Sequence, residues 1–141
     1  MISLDRAQQL RTAGLSWTPQ LHDFFAIPLP GLDNRVFVLG DMLAEFDYHQ
    51  GEPVVTFNGS SEWALDYIVS GEVVWLPSEA QLRALIEQHL PATPGPRFTL
   101  TRGRDAYHCQ LTATSVGLTF TAPTAEDAYA QALLHLLTLR S

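Results

Sequence analysis

The sequence contains no lysine, and all 8 of its basic residues are arginine. Without lysine the chain cannot form a Schiff base, a Ser–Lys catalytic pair or the lysine contact of a phosphate-binding loop. Its single cysteine, Cys109, excludes an internal disulfide and a zinc site built from several thiolates. These two absences remove several classes of enzyme and cofactor site.

Positive charge is scarce, because 15 acidic residues outnumber 8 basic ones and give a net charge of −7. Nucleic acids and anionic membranes attract proteins that carry a positive field, so this balance argues against both as general partners. No apolar run approaches the ~18 residues that span a bilayer. Asp5 and Arg6 occupy positions where a signal peptide would be apolar, and we therefore expect a cytoplasmic protein.

The length of 141 residues and the hydrophobic content of 46% predict one domain, residues 1–141, with a single core. The first sub-region, 1–76, combines several elements. The apolar spacing predicts a helix over 3–13, a proline-rich loop, a β-meander and a short helix over 61–69. The predicted strands of the meander are 35–39, 42–49 and 54–57.

The second sub-region, 77–141, predicts the order helix, three strands, helix. Ser78 and Gln81 form a capping box at its first helix, and Thr124 caps its last one. Apolar and polar residues alternate over the strands 97–102, 106–112 and 116–121, which is typical of antiparallel strands with one buried face. We therefore predict an α+β fold in which two antiparallel sheets are packed by three to four helices.

A metal site is one hypothesis for the second strand of the meander. Glu45, Asp47 and His49 occur at alternate positions, which share one face of a strand. Two carboxylates and an imidazole suit mixed oxygen and nitrogen coordination of a divalent cation. The alternative is an ordinary polar face, since a half-exposed strand needs one.

His108 and Cys109 suggest a thiol–imidazole nucleophile, but neighbouring residues on a strand point to opposite faces. Cys109 falls on the apolar side and is predicted to be a core residue. The sequence also lacks the motifs G-x-S-x-G, G-x-G-x-x-G and H-E-x-x-H. We therefore predict no catalytic residues and no cofactor.

The polar side of the last three strands is almost uncharged, which suits a protein interface as well as contact with water. Trp17 lies in the proline-rich loop and is predicted either to pack in the core or to contact a partner. The candidate interface residues are Trp17, Thr99, Thr101, Gln110, Thr112, Thr119 and Thr121.

The order helix, three strands, helix between Leu82 and Leu137 resembles the double-stranded-RNA-binding domain and its partly degenerate form in antitoxins of the HicB type. Such domains place basic residues at the start of the last helix, to meet phosphates. This chain instead has Glu126 and Asp127 there. The resemblance therefore implies the topology, and Arg97, Arg102 and Arg104 are the candidate contacts to RNA.

Several short motifs are similar to those of short bacterial proteins that are often named pilus assembly protein CpaE. They include the runs at 14–19, 36–39, 57–59, 62–66, 74–77 and 125–130. The name implies an ATPase-like assembly factor, whereas a chain without lysine has no phosphate-loop lysine. The resemblance thus provides no catalytic residues.

The pattern as a whole favours a non-enzymatic module of the bacterial cytoplasm that binds another protein or a second copy of itself. An antitoxin-like regulator linked to RNA is the first alternative. A metal-dependent enzyme that uses Glu45, Asp47 and His49 is the second.

Overall fold

The computed structural model describes the main chain of residues 1–40, 44–49, 52–57, 73–91, 97–112 and 117–139, and the side chains of the same ranges except 44–49 and 52–57. These residues belong to two compact units. The terminal unit comprises Met1–Leu15 and Ser78–Ser141, and the central unit comprises Ser16–Pro77. The prediction that 1–141 form a single domain stays a prediction.

A five-stranded antiparallel sheet forms the central unit, in the spatial order β4-β3-β2-β1-β5. The strands β2, β3 and β4 are the predicted meander, and β1 and β5 extend it on the other side. The predicted helix over 61–69 lies outside the described residues. The strand bounds are β1 Phe24–Ala26, β2 Val36–Val38, β3 Ala44–His49, β4 Glu52–Phe57 and β5 Val74–Leu76.

Aromatic residues on neighbouring strands form the core of the central unit. Phe25 of β1 lies opposite Phe37 of β2 in the sheet, and both side chains are fully buried. Their rings stack with centroids 5.5 Å apart. The antiparallel register therefore brings together two large side chains from residues that are twelve positions apart in sequence.

Three helices and a second sheet form the described part of the terminal unit. The strands β6 (Phe98–Arg102), β7 (Tyr107–Leu111) and β8 (Leu118–Ala122) pair antiparallel in that order. The helices are α1 (Leu4–Thr12), α2 (Glu79–His89) and α3 (Ala125–Thr138). The α+β class with antiparallel sheets is thus confirmed. No helix among the described residues is long and apolar enough to cross a membrane.

The helix starts follow the predicted capping chemistry. Ser78 Oγ accepts a hydrogen bond from the Gln81 backbone N–H, and the Gln81 side chain accepts one from the Ser78 backbone N–H. Thr124 accepts from Asp127 N in the same way at α3. Each bond satisfies a backbone N–H that the first turn of a helix leaves without an internal partner.

Helix α1 belongs to the terminal unit. The sequence analysis placed this helix in the first sub-region, 1–76. Ala7 and Leu10 of this helix are buried, and α1 packs against α3. Arg6 Nε also donates to Asp127 Oδ1 at 2.8 Å, across 121 positions of sequence. Residues 1–15 are therefore grouped with the second half of the chain, because the partners of α1 come from the far end of the sequence.

The register of the terminal sheet determines which backbone groups point outward. Thr112 N donates a hydrogen bond to Arg97 O, and Gly103 N donates one to Ala106 O. These two pairs flank β6 at odd-numbered positions, and hydrogen-bonded pairs alternate along an antiparallel ladder. The odd-numbered residues of β6 are therefore hydrogen-bonded to β7. By the same alternation, the even-numbered residues of β8 bond to β7, and Thr119 and Thr121 point their N–H and C=O groups away from the sheet. The hydrogen bond from Gln131 Nε2 to Thr121 O agrees with this direction.

Proline substitutions at two exposed threonines test this register. Thr99→Pro removes an N–H that bonds to β7 and leaves its acceptor unpaired, so we expect a loss of about 1–3 kcal/mol in the free energy of unfolding. Thr119→Pro removes an outward N–H and should cost under about 1 kcal/mol. Urea denaturation followed by circular dichroism measures both. Equal losses in the two variants would contradict the register.

Candidate functional site

The predicted interface residues of the last three strands lie together on one exposed face. We call this surface the threonine face. Its exposed members are Thr99, Thr101, Gln110, Thr112, Thr119 and Thr121. Cross-strand pairing arranges them in rows, of which one is Thr99, Gln110 and Thr119. The exposure of this face is confirmed, and its role as an interface stays a prediction.

The opposite face of the sheet is covered by α3. Cys109 and Leu111 of the middle strand are fully buried there, and the ring of Phe98 meets that of Tyr129 edge-on, with centroids 6.2 Å apart. The helix is also apolar around Leu133, which is fully buried. One side of the sheet is therefore used for the core, and its other side, the threonine face, is exposed among the described residues.

A single histidine interrupts the threonine face. His108 occupies the middle of the second row, between Thr101 and Thr121. Its Nδ1 and Thr121 Oγ1 form a hydrogen bond of 2.9 Å, and its Nε2 lies against Gly103, where an added Cβ would be only 3.0 Å away. The imidazole is thus fixed between Thr121 of the neighbouring strand and Gly103 of the turn after β6.

Cys109 is a core residue, as predicted. Burial raises the pKa of its thiol to about 11, because the apolar surroundings disfavour the thiolate. Its neighbours across the sheet are Leu100 and Phe120, whereas His108 lies on the other face. The sequence neighbours His108 and Cys109 therefore do not form a nucleophilic pair.

The three arginines predicted as RNA contacts are not brought together. Arg97 Nη2 donates to Glu87 O and Leu90 O at the end of α2, so this side chain caps a helix. Arg102 lies at the other end of β6, with its guanidinium 5.7 Å from the centre of the Tyr107 ring. Arg104 lies in the turn that follows and is exposed.

The predicted metal ligands Glu45, Asp47 and His49 lie at alternate positions of β3, where the backbone is described and the side chains are not. The register places Glu45 opposite the buried Phe37. Among the residues whose side chains are described, no group of three or more His, Cys, Asp or Glu could hold a metal ion. The metal site stays a prediction.

Trp17 is half-buried and packs in the central unit. It stacks on Trp75 with centroids 6.4 Å apart and an angle of 10° between the rings. Its Nε1 donates to Asp23 Oδ2 at 2.9 Å, and the same oxygen accepts from Gln20 N at 3.0 Å. These contacts hold Trp17 in the fold, and its role as an interface residue stays a prediction.

Asp23 belongs to no motif of the sequence, and a lone aspartate is more often exposed than buried. Only 5% of Asp23 is exposed, although it carries a carboxylate. A buried carboxylate needs hydrogen-bond donors, and Trp17 and Gln20 supply two. Neither donor could be recognised from the sequence, because the loop conformation brings them together.

Comparison with protein-family models, with curated proteins and with solved structures finds no match to this chain.

Replacing Asp23 tests its role as the anchor of the loop. Asp23→Ala leaves the Trp17 Nε1–H and the Gln20 N–H without this acceptor, and we expect the free energy of unfolding to fall by about 2–3 kcal/mol. Urea denaturation followed by tryptophan fluorescence measures the loss. Asp33→Ala, at an exposed position of the same unit, should change stability by less than about 0.5 kcal/mol. Equal effects would argue against the anchor.

The Cys109 thiol gives a second test. With its pKa raised from 9.0 to about 11, the thiolate fraction in the folded protein at pH 8 is about 100-fold lower than in the unfolded chain. Iodoacetamide should therefore label the folded protein at least about 100-fold more slowly, as followed by mass spectrometry. Labelling at the same rate with and without urea would contradict the burial of this thiol.

The same shift predicts the direction of the pH dependence of stability. Above pH 9 the unfolded chain loses the thiol proton while the folded protein keeps it, so stability should fall as the pH rises towards about 11. Cys109→Ala removes this contribution. The difference in stability between the wild type and this variant should therefore depend on pH within that window.

Proposed function

We propose that this protein is a non-enzymatic interaction module of the bacterial cytoplasm, and that it binds another protein or a second copy of itself through the threonine face. The observation that carries the proposal is an open sheet face whose exposed residues are neutral while its other face is buried under α3. Interface cores are depleted in charged residues, since a charge that loses its water must be paired.

Short hydroxyl and amide side chains favour this role for two reasons. They lose little conformational entropy when a partner covers them, and they can donate or accept hydrogen bonds at once. Five of the six members of the threonine face are threonine, a residue that is stiff on a strand. The face is therefore largely organised before a partner arrives.

The charge distribution favours a protein partner over RNA. The order α2-β6-β7-β8-α3 is the feature on which the resemblance to double-stranded-RNA-binding domains rests. However, the first turn of α3 carries Glu126 and Asp127, and the guanidinium of Arg97 is bonded to the end of α2. Both features weaken the attraction to phosphates that RNA binding requires.

Two lysines added to the threonine face test the proposal. Thr101→Lys with Gln110→Lys places charges that a partner would have to desolvate, so binding should weaken about tenfold or more. The matched control, Ser16→Lys with Asn34→Lys, adds the same charge at exposed positions of the central unit. Light scattering after size exclusion measures self-association at increasing concentration, and affinity capture from a bacterial lysate measures partners.

The wild type and the control should associate or retain the same defined protein, and the variant of the threonine face should not. A wild-type protein that stays monomeric, and that retains nothing the threonine-face variant fails to retain, would overturn the proposal.

A further inference from the structure

A second feature of the terminal unit lies beside the outer edge of β8. A depression of about 430 Å³ is lined by residues of this strand, α3 and α1, and we call it the β8 groove. The groove is apolar where Phe120 and Leu134 line it, and the ring of His135 lies 5.6 Å from that of Phe120. The residues that line it are Arg6, Phe120, Gln131, Leu134, His135 and Thr138.

The edge of β8 presents backbone groups towards this side. Thr119 and Thr121 point their N–H and C=O groups away from β7, and β8 pairs with no further strand among those that are described. Of these groups, Thr121 O already accepts a hydrogen bond of 3.3 Å from Gln131 Nε2. Three backbone groups therefore point into the space beside the outer edge of β8: Thr119 N–H, Thr119 C=O and Thr121 N–H.

We propose that the β8 groove binds an extended, acidic segment of a partner protein, which adds to the sheet as a strand beside β8. This inference rests on the proposed interaction function and names a partner class and a site for it. In such binding, backbone hydrogen bonds supply affinity and a groove selects alternate side chains. Here every second side chain of the added strand faces Phe120 and Leu134, and the others continue the threonine face.

The charge of the groove identifies the acidic character of the segment. Its lining includes the guanidinium of Arg6 and no carboxylate, and the Asp127 carboxylate that forms an ion pair with Arg6 lies outside this lining. Arg6 Nε donates to Asp127 and Nη1 to Gln9, while Nη2 has no partner among the described residues. A carboxylate on the segment can accept from this nitrogen, and a guanidinium favours that pairing.

The shape of the groove favours a single strand over a second copy of the chain. Arg6 belongs to α1 and Phe120 to β8, so the two line the groove from different elements. A strand needs about 4.8 Å beside β8. A second copy would bring its own sheet and helices to the same position, where α1 already bounds the space.

Two labelled peptides provide the test. One is a fluorescein-labelled octapeptide of alternating valine and threonine in which two valines are replaced by aspartate, so that the carboxylates share the side of the strand that faces the groove. Its match carries lysine at those two positions. Fluorescence anisotropy with the full chain should show saturable binding of the acidic peptide. The lysine peptide should bind at least about tenfold more weakly, because the guanidinium of Arg6 faces it.

Three variants locate the binding. Thr119→Pro removes an outward N–H and should weaken binding of the acidic peptide about tenfold or more, while circular dichroism confirms the fold. Arg6→Gln keeps the backbone intact and should weaken the acidic peptide more than the lysine peptide. Arg102→Pro blocks an outward N–H on the opposite edge, at β6, and should leave binding unchanged.

The outcomes separate this inference from the proposed function. Absence of binding by either peptide, or binding unaffected by both Thr119→Pro and Arg6→Gln, overturns the β8 groove as a peptide site. If the variant with Thr101→Lys and Gln110→Lys still fails to capture the protein that the wild type captures, the proposed function stands without the β8 groove as a peptide site. Self-association that Thr119→Pro abolishes, with no peptide bound, would identify a second copy as the occupant and also overturn the inference.

Discussion

The terminal unit depends on the burial of one face of the sheet β6–β7–β8 beneath α3. Because side chains alternate along a strand, covering Cys109 and Leu111 leaves Gln110 on the opposite side. The same pairing alternates the direction of the backbone groups, so one register determines both the open face and the outward bonds of the edge strands. A shift of one residue would exchange the buried and exposed sets and remove both candidate surfaces.

Local patterns predicted the elements of this sheet well. The alternation over 97–121 and the capping residues Ser78 and Thr124 depend on neighbours within a few positions, and such signals can be read from a single sequence. The position of α1 could not be predicted in this way. Its burial and the bond between Arg6 and Asp127 join opposite ends of the chain, and no local pattern encodes that distance.

The candidate sites also divide into features that local sequence patterns predict and features that depend on residues brought together by the fold. The exposed threonines followed from alternation alone, and so did the separation of His108 from Cys109. The environments of Asp23 and Arg97 did not, because each depends on groups that a loop or a neighbouring helix brings into reach. Charged residue types suggest exposure on average, and only the fold shows which of them have found internal partners.

Among the described strands, none pairs with the outer edge of β8. Open edges invite unwanted pairing, and proteins usually protect them with charged residues, proline or a covering segment. Thr119 and Thr121 offer neither charge nor proline, and among the described residues the hydrogen bond from Gln131 Nε2 to Thr121 O protects this edge. That bond is long at 3.3 Å and lies at the surface, so an arriving strand can replace it at little cost. An uncharged edge beside a groove with Arg6 and His135 is therefore better suited to binding a selected strand than to resisting every strand.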